Sequence, residues 1–161
     1  MDKRIKRTLF AAVALLSVGA TLEAAQINGT ITFRGGEELN TGSVNTATRV
    51  IGWHDQNLAS PKVVSRSGDF STFVNVGDSV AMTAPWIFGS GRSGLWSVGN
   101  FTFDLTTSTI VHQGNGTLNI TGTGTISGNG FDPTPGSWSF STQNPPANGV
   151  FSFSGATAAT P

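Results

Sequence analysis

Hydrophobic and polar residues alternate with a period of two along residues 116–153. The first half of this stretch carries three aliphatic side chains on one parity, Leu118, Ile120 and Ile126, with Thr, Asn or Ser between them. Strict alternation predicts a strand with one buried face and one solvated face. Gly122 and Gly124 fall on the buried parity, where they leave little side chain to pack. A bulge, a bend or a close neighbour is therefore expected beside them.

Turn-forming residues divide the same stretch into three predicted strands. Gly and Asn at residues 128–130 favour a turn. Residues 132–136 predict a second turn because each of their two prolines fixes φ, and residues 144–149 form a third break. After these breaks, aromatic residues alternate with Ser: Trp138, Phe140, Phe151 and Phe153. The pattern predicts a meander of antiparallel strands.

Shorter alternating patterns occupy the rest of the chain. They predict strands over residues 27–33, 44–53, 70–76, 79–83, 95–105 and 107–113, whereas residues 62–66 fit either a short strand or a loop. No segment after the N-terminus shows a 3.6-residue period. The fold class is therefore predicted to be all-β, an antiparallel, jelly-roll-like β-sandwich of roughly nine to eleven short strands.

The N-terminus has the three-part pattern of a secretory signal peptide. Four basic residues lie within the first seven positions, an apolar run follows from Leu9 to Val18, and small residues come next. Cleavage after Ala20 and cleavage after Ala25 both remain open. The second is preferred because a strand pattern begins at Ile27. The predicted organisation is a signal peptide over residues 1–25 and a single β-sandwich domain over residues 26–161.

Charge and cysteine content narrow the function classes. Without residues 1–25, five basic and seven acidic residues remain, which is a net charge of −2. A weakly acidic chain lacks the basic surface that nucleic acids or anionic membranes require. The chain has no Cys, which excludes thiolate metal sites and Cys nucleophiles. We expect no nucleic-acid partner, no cofactor and no membrane anchor in the mature chain.

Most of the mature chain, with residues 27–33 at one end and 95–159 at the other, resembles a group of uncharacterised bacterial exported proteins. The resemblance rests on residues 122–143 (GTGTISGNGFDPTPGSWSFSTQ) and 151–159 (FSFSGATAA). Proteins of this group often carry a C-terminal PEP-CTERM sorting signal that an exosortase recognises. The resemblance implies export, a β-rich body and a place at the cell surface or in an exopolysaccharide-rich matrix. This sequence stops where that signal would start, so sorting and anchoring are not carried over.

Titratable residues give no strong catalytic or metal-binding pattern. His54, Asp55, His112 and Glu37 could together supply metal ligands, but a solvated position explains each of them more simply. A glycoside hydrolase needs two facing carboxylates, and Asp104 is the one acidic residue predicted within a strand. The sequence also lacks a Gly-x-Ser-x-Gly nucleophile motif before a helix. We therefore predict no catalytic residue and no metal site.

Aromatic and hydroxyl residues supply two binding hypotheses. Trp53 and Trp86 lie beside predicted loops, so their rings are candidates for stacking on sugars; core packing is the alternative. The Thr row of residues 117–127 suggests an ice-binding face, but one strand does not make an array. The preferred function is a secreted, non-enzymatic structural or interaction protein of the cell envelope or exopolysaccharide matrix. Its expected partners are extracellular polysaccharide or other matrix proteins. A carbohydrate-binding module and a polysaccharide-acting hydrolase are the alternatives.

Overall fold

The computed structural model describes residues 24–54, 60–143 and 147–155, the last of these by their backbone alone. The predicted signal peptide, apart from Ala24 and Ala25, and Asp55 lie outside the described residues.

The described residues form ten strands and one short helix. In chain order these are β1 (Gly29–Leu39), β2 (Arg49–His54), β3 (Lys62–Arg66), α1 (Phe70–Phe73), β4 (Ala81–Met82), β5 (Trp86–Ile87), β6 (Arg92–Val98), β7 (Phe101–Gly114), β8 (Thr117–Gly128), β9 (Phe131–Gln143) and β10 (Ala147–Gly155). All pairings between these strands are antiparallel. The predicted all-β, antiparallel β-sandwich is confirmed.

Strand β1 links the two packed sheets. The strand order is β4, β6, β7, β8, β9, β10, β1, β2 and β5, and β3 also pairs with β1. The first part of β1 pairs with β10 and β3, and its last part, from Gly36 to Leu39, pairs with β2. From β6 to β10, neighbours in the sheet are neighbours in sequence. The predicted meander of three strands is therefore confirmed, and it begins two strands earlier, at β6.

Three two-residue turns connect the long strands of the meander. Both residues of each turn have positive φ: Gly99 (56°) and Asn100 (63°), Asn115 (50°) and Gly116 (75°), and Asn129 (52°) and Gly130 (79°). This left-handed backbone matches the twist of the flanking strands, and Gly and Asn adopt it most readily. Gly99 and Asn100 therefore separate β6 from β7, whereas the sequence pattern had continued one strand across them.

The predicted turn over residues 132–136 is wrong, because these residues belong to β9. The β10 ladder on β9 begins at Ser137, so Pro133 and Pro135 lie outside the segment that β10 pairs with. Proline is tolerated in such edge segments because the missing N–H is not required by a second strand. The N-terminal segment covers part of this edge, since Asp132 N donates to Ala25 O and Ile27 N donates to Thr134 Oγ1. Cleavage after Ala25 would remove the first acceptor, and cleavage after Ala20 would keep it.

The predicted strand over residues 70–76 is also wrong. Phe70–Phe73 is a single helical turn, whose first ring is buried and packs on Phe101 with 4.9 Å between ring centroids. Phe73 contacts Phe101 and Phe131 from the same turn. A spacing of three residues brings two side chains to one face of a helix, so the aromatic contacts outweigh the alternating pattern.

Aromatic rings fill the space between the sheets. The largest fully buried side chains are Trp86, Trp96, Trp138, Phe33, Phe70, Phe101, Phe103 and Phe140. Phe33 of β1 meets Trp96 of β6 edge-on at 5.0 Å, and Trp86 of β5 meets Phe140 of β9 at 5.6 Å. Edge-to-face pairs of this kind stabilise a core beyond their buried area. The buried positions follow the inward parity predicted for β8 and β9.

Candidate functional site

The outward side of β7, β8 and β9 is rich in exposed Ser and Thr residues. We call the hydroxyl face six of these side chains, which strand pairing aligns: Thr107, Thr109, Thr121, Thr123, Ser137 and Ser139. Strand pairing aligns them in two ranks that run across the strands. One rank is Thr107, Thr123 and Ser137, and the other is Thr109, Thr121 and Ser139.

Both ranks continue across the next strands of the sheet by register. Ser137 pairs with Ser154 and that residue with Thr30, while Ser139 pairs with Ser152 and that residue with Thr32. Thr32 then pairs with Ser65 of β3. The second rank therefore places a Ser or Thr on each of six consecutive strands. The expectation that only one such row exists is wrong, since the rows run across the strands rather than along one of them.

Two shallow grooves run beside the ranks, one between them and one along the outer side of the first rank. One groove, of about 390 Å³, lies between the two ranks, with the backbone of Gly122 and Trp138 at its floor. A second, of about 410 Å³, borders the first rank on its other side and is lined by Thr106, Gly124 and Pro135 among others. The outward surface is therefore corrugated, with neutral hydroxyl groups on its ridges.

A hydrogen bond between two uncharged side chains links neighbouring strands of the hydroxyl face. The Thr107 and Thr123 hydroxyls lie 3.0 Å apart and hydrogen-bond across the β7–β8 pair. Among the residues that the structure describes, no acidic or basic side chain lines either groove. Asp104, which precedes Thr107 on β7, accepts hydrogen bonds from Ser93 Oγ at 2.7 Å and from Gly94 N at 2.6 Å. Its carboxylate thus fastens the irregular part of β6, which accounts for an acidic residue within a strand.

The expectation that Trp86 is exposed is wrong. Its side chain is fully buried beneath β2, packing on Trp53 at 6.3 Å with the rings nearly parallel, and on Phe140. Trp53 is half-buried, packs on the same core and donates its indole N–H to Thr83 O at 3.0 Å. Large apolar rings next to loops are drawn into the core because their burial is worth more than exposure. The Trp86 ring therefore presents no face to a sugar, and the Trp53 ring is committed in part to the core.

Strand β1 carries a buried carboxyl group, that of Glu37. Glu37 is 4% exposed, and Thr142 Oγ1 of β9 donates to its Oε1. Burial raises the pKa of Glu37 above its ordinary 4.5, and the bond from Thr142 and the charge of His54 oppose that rise only in part. A cavity of about 280 Å³ beside it is lined by Glu37, Glu38, His54 and the 39–43 segment. The sequence pattern did not single out this carboxyl as buried.

The free energy of unfolding is expected to fall as the pH rises above about 4.5, with Glu37 as one cause. The folded chain holds the Glu37 proton more tightly than the unfolded chain, so this contribution is complete below the unfolded pKa and is lost as pH passes the folded one. We would measure the free energy of unfolding by urea denaturation at several pH values between 4 and 8. Glu37→Gln should make this free energy fall less steeply with rising pH than it does in the wild type. The exposed neighbour Glu38→Gln is the control and should keep the wild-type slope. Parallel wild-type and Glu37→Gln profiles would contradict the assignment.

The other proposed ligands do not assemble into a centre. Within residues 24–54 and 60–143, no three His, Asp or Glu side chains come together in a group that could hold a metal ion. His54 ends β2 with its ring against Gly36, whereas His112 lies on β7, where Nε2 is 3.1 Å from Gly114 O. In the part of the chain that the structure describes, no helix is long and apolar enough to cross a bilayer.

Comparison of the chain with protein-family models, with curated proteins and with solved structures finds no match. The hydroxyl face and the Glu37 cavity are therefore interpreted from their geometry alone.

Proposed function

We propose that this chain is an exported, non-enzymatic structural or interaction protein of the bacterial cell envelope or exopolysaccharide matrix. The observation that carries the proposal is the hydroxyl face, a wide exposed surface built from neutral donors and acceptors. The N-terminal signal pattern and the resemblance to PEP-CTERM proteins support export. A surface of this chemistry suits contact with hydrated, hydroxyl-rich polymers.

An interaction role is favoured over catalysis because reactive groups are missing from the hydroxyl face. Glycoside hydrolysis requires an acid and a second carboxylate across the scissile bond. Within the described ranges no carboxyl lines either groove, and the Asp104 carboxylate accepts hydrogen bonds from Ser93 and Gly94. Glu37 is buried against Thr142 and lines neither groove. A polysaccharide-acting hydrolase is therefore the less supported alternative.

A carbohydrate-binding module that stacks sugars on Trp53 and Trp86 is likewise less supported. Trp86 is enclosed by Trp53, Phe88 and Phe140 and presents no free ring face. Polysaccharide contact is instead assigned to the hydroxyl groups, which gives weaker attraction per sugar than an aromatic platform. The hydroxyl face would accordingly bind a polymer through many weak contacts along its length and would not bind a single sugar tightly.

Co-sedimentation of the purified protein with insoluble cell-envelope and exopolysaccharide fractions tests the proposal. We expect retention that changes little between about 50 mM and 500 mM salt, because neutral contacts are not screened. Reducing ends should not increase during a long incubation. Release of new reducing ends would establish a hydrolase instead. Binding to none of the fractions would overturn the matrix role.

A further inference from the structure

We propose that the groove between the two ranks binds an unbranched, neutral polysaccharide chain that lies across β7, β8 and β9. This inference rests on the proposed matrix function and names its ligand class and its site. The site consists of the ridges Thr107, Thr123 and Ser137 on one side and Thr109, Thr121 and Ser139 on the other, with a cavity of about 390 Å³ between them.

The spacing of the ridges fits a single extended chain. Residues two apart on a strand are separated by about 6.8 Å along the backbone, so one extended chain that rests on top of the ridges can contact both of them at once. Along the groove, successive hydroxyls are about 4.8 Å apart because that is the distance between neighbouring strands. This repeat is close to the length of one sugar in an extended 1,4-linked chain. Three strands therefore offer a pair of hydroxyls to each of about three consecutive sugars.

The chemistry of the groove favours a neutral polymer over a charged one. Each Ser or Thr hydroxyl both donates and accepts, as sugar hydroxyls do, and each Thr adds a methyl group that can cover a sugar C–H. No Lys or Arg of the described chain lines the groove, so a carboxylated polymer would lose water around its charges without gaining an ion pair there. Uronic-acid polymers are thereby disfavoured relative to neutral glucans.

Thr123 contributes to more than one groove. It lines the 390 Å³ groove and, together with Ser137, the neighbouring 410 Å³ groove. Its hydroxyl is also fixed by the contact with Thr107, which reduces the entropy lost on binding. Removal of this hydroxyl should therefore weaken binding more than removal of one at the margin of the face.

A crystalline water surface is the competing ligand for aligned Thr residues. Such a surface requires a flat array, whereas the ranks here stand above grooves on a sheet whose strands twist relative to each other. A twisted surface favours a single chain that rests on both ranks, because one chain does not require a flat plane. Ice binding is accordingly an outcome that the experiment separates.

The test is affinity electrophoresis in gels that contain hydroxyethyl cellulose, with carboxymethyl cellulose as the charged counterpart. Wild-type protein should be retarded by the neutral polymer and far less by the charged one. The double variant Thr121→Val and Thr123→Val keeps side-chain shape and β-propensity but removes two hydroxyls. Its affinity should fall by about tenfold to a hundredfold, from the usual net worth of two hydrogen bonds.

Thr125→Val is the matched control, because Thr125 occupies the next outward position of β8 and lines neither groove. It should bind like the wild type, and circular dichroism should show that both variants fold. Full binding of the neutral polymer by the double variant would overturn the groove while the matrix role stands. Preference for the charged polymer would overturn the ligand class. Failure to bind either polymer, or inhibition of ice recrystallisation that the double variant loses, would overturn the inference.

Discussion

Trp86→Ala is expected to lower the free energy of unfolding by about 3–5 kcal/mol, the usual cost of emptying a buried aromatic site. Trp86 is fully buried and contacts Trp53, Phe88 and Phe140, so its removal leaves a cavity between the two sheets. Strand β5 has two residues and pairs with β2 through two register positions. Packing of this indole, more than the ladder, therefore holds β5 in place.

Urea denaturation followed by far-UV circular dichroism measures this effect without using Trp fluorescence. Ile87→Ala is the matched control on the same strand, since Ile87 is 54% exposed and its truncation should change stability by less than about 0.5 kcal/mol. If Trp86→Ala were as stable as Ile87→Ala, Trp86 would have to be on the surface. The sugar-stacking hypothesis would then regain its basis.

Gly124→Ala is expected to destabilise the meander by about 1–3 kcal/mol or more, the range for inserting an atom into a closely packed site. A Cβ at this position would lie 2.1 Å from Asp104 O and 2.7 Å from Phe103 Cζ. The carbonyl belongs to the backbone of β7, which pairs with β8 along its length, so it cannot move aside without disturbing the ladder. The sequence-based prediction of a close neighbour beside Gly122 and Gly124 is confirmed, because Gly122 faces Thr107 O in the same way.

Gly114→Ala provides the comparison, because Gly114 ends β7 and a Cβ there would meet nothing within 4 Å. This variant should be neutral or slightly more stable, since Ala restricts the unfolded chain. Equal unfolding midpoints for the two variants would show that β7 and β8 are not as close as described. Should Gly124→Ala fail to fold, the yield of soluble protein relative to Gly114→Ala gives the same answer.

One register shift decides which side chains form the hydroxyl face. Phe101, Phe103 and Leu105 point inward at odd positions of β7, and the pairing with β8 then shifts between Leu105 and Thr107. Beyond the shift, Ser108 is buried and donates to Ser90 O at 2.7 Å. Thr107 and Thr109 therefore face outward. A one-residue shift exchanges the two faces of a strand, so without it the ridges of the groove would not align.

The sequence by itself determined the β class, the inward parity of β8 and β9, and the Gly and Asn residues of the 129–130 turn. These features depend on neighbouring residues alone: alternation, backbone φ preferences and side-chain size. The boundaries between predicted strands were less well determined, because Pro133 and Pro135 have the same chemistry in a turn and in an edge strand.

Only the tertiary structure decided the exposure of Trp86, the burial of Glu37 and the alignment of Ser and Thr across six strands. Each of these depends on partners distant in sequence: Phe140 for the indole, Thr142 for the carboxyl, and the register of every pair from β7 to β3 for the ranks. Alternation states that a Thr points away from the core. It does not state which residue of the next strand stands beside it, because cross-strand register is fixed by turns, bulges and packing together.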